Sequence, residues 1–145
     1  MEISEVLEGK VVFLDESVLI APGIDDFLEK ILDEMIDLGQ KFYITKETYS
    51  DLEKKELEGV SEAGDAITLI EDLINQNLVG ILIAKNKDGI IKLTEISQER
   101  PILYITMDKK TALNLEMFNR MKSYSGKPIS VMGINKLGDL IPYNK

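Results

Sequence analysis

A chain of 145 residues with 44% hydrophobic content suits one domain, residues 1–145, with a proper core. Its formal charge of −9, from 26 acids against 17 bases, gives it no general attraction to nucleic acid, although local clusters can still bind it. Cysteine and histidine are both absent, which excludes disulfides, thiolate and imidazole metal sites, cysteine nucleophiles and serine–histidine catalysis.

Hydrolytic chemistry is then left to carboxylates, lysine, tyrosine, hydroxyls, or a hard metal held by oxygens. The first clue to its place is the apolar run Val11-Val12-Phe13-Leu14, which reads as a buried strand and stops at Asp15-Glu16-Ser17. In an α/β sheet, ligands sit outside the carboxyl ends of the strands, so Asp15 stands where chemistry is placed. The competing reading is that Asp15 caps the turn that follows.

After Ala21-Pro22-Gly23, apolar residues from Ile24 to Leu38 recur at helical spacing, with Asp25 and Asp26 in the first turn and Gly39 ending the helix. Lys41–Thr45 reads as a second strand, followed by a helix through Thr48–Lys55. Glu58–Ser61 is a connection, with Ser61 as cap of a helix whose face carries Ala66, Leu69, Ile70, Leu73 and Ile74. Leu78–Ala84 is a third strand and Lys85–Gly89 a polar turn. Ile90–Glu99 reads as a short helix, with a hairpin at Asp88-Gly89 as the other option. Pro101–Thr106 is a fourth strand, before a helix carrying Leu113, Met117, Phe118 and Met121. Ile129–Met132 is a short fifth strand, and Ile134–Ile141 a last turn of helix before Pro142. Strands alternating with helices predict an α/β fold with a parallel sheet covered on both faces. No apolar run approaches the roughly 20 residues of a membrane span. Met1–Glu5 has neither the basic region nor the apolar core of a signal peptide. The expectation is a cytoplasmic protein with no membrane segment.

Two strands end alike, in Leu14-Asp15 and in Thr106-Met107-Asp108. Asp51 lies on a helix that starts from the same sheet edge, and Asp88 follows a strand that ends there. Four acids on four elements are thus placed to share one pocket. Oxygen ligands without nitrogen or sulfur suit magnesium or manganese. Such an ion activates water for phosphoryl displacement, and without it carboxylates so close would raise one another's pKa values.

Phe13–Ile20 resembles the opening motif of the PIN-domain nucleases: a strand, an aspartate, any residue, a serine or threonine, then an apolar run. Ile44–Leu52 is similar to the second motif, an acid before leucine on a helix. The family usually has glutamate there; this chain has Asp51, with Glu47 as its rival. Tyr104–Asp108, continuing to Ala112, is similar to the threonine-x-aspartate motif, and Asp88 with Ile91, Lys92 and Leu93 matches the remaining acid. Val131–Leu137 resembles the closing strand and asparagine–leucine turn. The resemblance implies a three-layer α-β-α sandwich around a mainly parallel sheet of four to five strands. It further implies a ribonuclease in which Asp15, Asp51, Asp88 and Asp108 hold Mg2+ or Mn2+, supported by Ser17 and Thr106. Glu16 sits where the family often has a small residue.

On this reading Lys46, Lys85, Lys87, Lys109 and Lys110 stand at the carboxyl edge, where Lys109 and Lys110 above all, with Lys46, would meet RNA phosphates. The resemblance also admits a toxin silenced by an antitoxin, a homodimer, an RNA-processing enzyme, and an inactive PIN-like binding module. Met117 and Met121 are read as core residues, with a dimer contact as the alternative. A phosphatase of the haloacid dehalogenase type is disfavoured because Ser17 stands where its second aspartate belongs.

Overall fold

Valine, phenylalanine and leucine at successive positions favour a strand covered on both sides, and Val11–Leu14 is such a strand, β1, buried throughout. The computed structural model describes residues 3–82, 99–120, 127 and 129–142. The further strands are β2 (Phe42–Thr45), β3 (Val79–Leu82), β4 (Ile102–Ile105), β5 (Ile129–Ile134) and β6 (Leu140–Pro142). The helices described are α1 (Ile3–Leu7), α2 (Glu16–Leu19), α3 (Ile24–Asp37), α4 (Lys46–Leu57), α5 (Ser61–Asn75) and α6 (Lys109–Arg120). The strands form one six-stranded sheet in the order β3-β2-β1-β4-β5-β6, parallel except for β6.

Alternation along each strand sorts the apolar residues onto two faces. Val12, Leu14, Phe42, Ile44, Leu103 and Ile105 pack with Phe27 and Ile31 of α3, Leu52 of α4, and Ile70 and Leu73 of α5. On the opposite face, Val11, Phe13, Ile102, Ile129 and Val131 pack with Ala112 and Leu115 of α6. Each fully buried large side chain contributes roughly 1.5–3 kcal/mol from the area it removes from water. The chain therefore winds from β1 through β2 to β3 with helices on one face, and from β4 to β5 with a helix on the other. That reversal makes the carboxyl ends of β1 and β4 the topological switch point of the sheet.

Three helices end alike. At the ends of α3, α4 and α5, Gly39, Gly59 and Asn77 take positive φ, and the next backbone N–H returns to Met35, Lys55 and Leu73 respectively. Gly39 thus ends α3 as its sequence suggested. Ser61, expected as the cap of α5, is instead its first residue, and its hydroxyl donates to Glu62.

Two further expectations are corrected. The sheet has six strands rather than four to five, because Ile134–Ile141 is no helical turn: β5 continues to Ile134 and Leu140–Pro142 returns antiparallel beside it. The Asn135 side chain accepts from Leu137 N and Asp139 N, both at 2.9 Å, and Gly138 takes φ 84°, so the segment closes a hairpin. In α6 the buried face carries Ala112 and Leu115, leaving Leu113 and Met117 exposed at 63% and 57%. A helix phase set by its contact with β5 places those two about 100° or more from the sheet-facing line. Met121 lies outside the described residues, as do Lys85, Lys87, Asp88 and nearly all of Ile90–Glu99.

Candidate functional site

Register β1↔β4 sets Phe13 beside Tyr104 and Leu14 beside Ile105, so the next pair beyond the strands is Asp15 and Thr106. Residues two apart on a strand share a face, which brings Tyr104, Thr106 and Asp15 together. Asp15 is held by its own N–H, which donates to Ile105 O at 2.9 Å. Its carboxylate caps α2, as the capping reading anticipated, with Oδ2 accepting from Ser17 N at 3.3 Å.

Two hydroxyls complete the clamp. Ser17 Oγ donates to Asp15 Oδ2 at 2.6 Å and Thr106 Oγ1 donates to the same oxygen at 2.9 Å. Each hydroxyl also accepts a backbone N–H: Met107 N on Ser17 at 2.8 Å, and Asp108 N on Thr106 at 3.0 Å. A hydroxyl has one proton to give. With both protons committed to Asp15, the 3.1 Å separation of the two hydroxyl oxygens is a contact and no further bond. The set fixes the loop after β4 against the loop after β1.

Tyr104 serves the other oxygen. Its hydroxyl donates to Asp15 Oδ1 at 2.8 Å, while its ring stacks on Phe13 at 6.2 Å between centroids. Burial, with the charge of Asp15 and the hydrogen bond to it, pushes the phenol far above its ordinary value, with Asp108 adding to the effect. Tyr104 is therefore a permanent donor at physiological pH. Sequence reasoning missed it; its position two residues before Thr106 was the signal.

The other acids are placed differently. Asp108 is exposed at the start of α6, where its oxygens accept from Lys110 N at 3.0 Å and Thr111 Oγ1 at 2.9 Å. Among the described residues its backbone N–H joins it to Asp15 through the shared Thr106 hydroxyl. Asp51 is exposed on α4. Lys55, one turn further along, pairs with Glu16. That hydrogen bond raises the Lys55 pKa above its ordinary value against a smaller desolvation effect, and the charges of Glu16, Asp51 and Asp15 add to the rise. Glu47, the rival of Asp51, is half-buried in the first turn of α4, and its Oε1 is buried with no hydrogen-bond partner among the described residues. Asp88 lies outside the described residues.

A hard cation fits this donor set in type. A carboxylate offers about four acceptor positions; Asp15 Oδ2 is fully engaged, whereas Oδ1 has one donor among the described residues, which leaves it room for a further partner. The number of ligands is another matter. Among the described residues, no group of three or more acids stands close enough to hold a metal ion. Lys46, Lys109 and Lys110 are exposed at the same sheet edge, in the first turns of α4 and α6, with no ion pair among the described residues. Comparison with family models, curated proteins and solved structures finds no match to this chain. No helix among the described residues is long and apolar enough to cross a membrane.

Proposed function

We propose that the chain is a metal-dependent ribonuclease of PIN type that hydrolyses RNA phosphodiester bonds at the carboxyl ends of β1 and β4. The observation that carries this reading is the Asp15 carboxylate at the switch point, with Oδ2 saturated by donors and Oδ1 taking a single donor among the described residues. Capping a four-residue helix needs no such apparatus. Asp15 would be the anchoring ligand, with Asp108, Asp88 and one of Asp51 and Glu47 completing the set. Mg2+ or Mn2+, when bound there, supplies charge stabilisation and activates the attacking water.

The chain's own residues do the rest. Ser17, Thr106 and Tyr104 hold the Asp15 carboxylate in one orientation, each donating its hydroxyl proton to it. Lys46, Lys109 and Lys110 stand where a helix dipole disfavours cations; an RNA phosphate between them would offset that cost. The resemblance also suits a toxin held by an antitoxin, an RNA-processing role, and a homodimer. A second reading, an inactive PIN-like binding domain, is favoured by Asp108, whose two oxygens already serve its own helix.

Manganese titration by calorimetry, with cleavage of a structured RNA alongside, separates the two. Wild type is expected to bind and cut, while Asp15→Asn/Asp108→Asn folds and does neither. In Asp15→Asn the introduced amide can keep its oxygen toward Ser17 and Thr106 and turn its NH2 to the Tyr104 oxygen, so the fold tolerates it. No metal binding by wild type at millimolar manganese would remove the nuclease reading and leave the binding domain.

A further inference from the structure

We propose that the amino edge of the sheet, opposite Asp15, carries a binding site for a phosphoryl group, whether of free pyrophosphate or of a nucleotide. A cavity of about 530 Å3 opens there, bordered by Lys10, Lys41 and Arg100, within the size range of small-molecule sites. These residues directly precede β1, β2 and the Pro101 that leads into β4, three neighbouring strands, so the topology alone brings the three cations together. In a chain where acids outnumber bases 26 to 17, no acid is among the described residues that line this cavity.

Lys10 and Lys41 are half-buried, and none of the three cations has an ion pair among the described residues. A partly desolvated cation without a counter-charge gains from an anion more than an exposed one does. The two lysines are also held in place. Gln40 donates to Leu7 O at 2.9 Å and to Lys10 O at 3.4 Å, and accepts from Gly9 N at 2.9 Å. That bracket ties the turn before β1 to the loop before β2. The Lys41 ammonium lies 5.9 Å from the Tyr43 ring centre, which favours a fixed cation over a waving one. Three positive charges around one cavity match a diphosphate better than a single carboxylate.

The same edge gathers the carboxyl ends of α1, α3 and α5, whose dipoles favour cations. That is the competing account of the lysines, and the experiment is chosen to exclude it. The full chain is titrated calorimetrically with pyrophosphate and with ADP, free of divalent metal, so the outcome does not depend on the ribonuclease reading. Wild type is expected to bind, Arg100→Gln to lose about tenfold and Lys41→Gln/Arg100→Gln about a hundredfold, with Lys54→Gln unchanged. Arg100 is exposed, so its loss leaves the fold intact. Tighter binding of ADP than of pyrophosphate assigns the site to a nucleotide, and equal binding to the free anion. Absence of heat with both probes at millimolar concentration overturns the proposal. So does binding that the variants leave unchanged, and so does a lower melting temperature in Lys41→Gln with no ligand effect in any protein. Binding of a single-stranded RNA oligonucleotide without pyrophosphate binding would equally overturn it, in favour of a nucleic-acid track.

Discussion

Tyr104→Phe keeps the ring that stacks on Phe13 and removes only the hydroxyl that donates to Asp15 Oδ1. Hydrogen bonds to charged groups contribute about 1.5–3 kcal/mol. Asp15 is half-buried, so water can partly replace the donor, and the lower end, about 1.5 kcal/mol, is expected at pH 7. For a chain of this length that lowers the melting temperature by about 4–6 °C. The pH dependence is the sharper test. The native phenol is raised above its ordinary 10.0, so above pH 10 the unfolded chain loses a proton that the native state keeps. Tyr104 therefore stabilises the fold fully below pH 10, and that contribution falls by about 1.4 kcal/mol per pH unit above it. Tyr104→Phe lacks this slope, whereas Tyr49 and Lys55 are common to both proteins and cancel. The stability gap should close roughly one unit above pH 10, near pH 11. Urea unfolding of both proteins from pH 7 to pH 11.5 measures it. A gap that is constant with pH, or absent at pH 7, refutes the reasoning.

Lys55→Gln removes the cation that pairs with Glu16 and lies in the field of Asp51 and Asp15; manganese affinity by electron paramagnetic resonance should rise about threefold or more, with stability lowered by about 1 kcal/mol, since both partners of the pair are half-buried. An unchanged or weaker affinity would separate Lys55 from the metal site. Gly138→Ala should cost about 2–4 kcal/mol, because Gly138 has φ 84° and an added Cβ would meet the backbone of Asp26 and Phe27. Thermal unfolding reads this, and a shift within about 1 °C would show that the hairpin can move away from α3.

Much of the candidate site was legible before the fold was known. Asp15 and Thr106 each end an apolar run and Ser17 follows Asp15 by two residues, and strand ends are where sheets of this class gather polar groups. Their bonding follows from parallel pairing of β1 with β4. Tyr104 was hidden because its neighbours on β4 are apolar, and an aromatic in a strand reads as core unless its hydroxyl is known to face an acid. The β5–β6 hairpin was misread for a similar reason: Ile134, Leu137 and Leu140–Ile141 mimic a helical face. Asn135 and Gly138 hold the turn instead. The cations of the amino edge lie dozens of residues apart, and no local pattern joins them.

Local periodicity and composition determined that this chain alternates strands with helices, that histidine and cysteine chemistry is closed to it, and that carboxylates end two of its strands. Each of those properties belongs to one residue, its near neighbours, or the totals. Which strand lies beside which is a different kind of quantity. It depends on how apolar faces and backbone edges far apart in sequence meet and exclude water, and many pairings satisfy the same local pattern. Only the tertiary structure set β4 rather than β3 against β1. That choice put Tyr104 and Thr106 on Asp15 at one edge of the sheet and three cations around a cavity at the other.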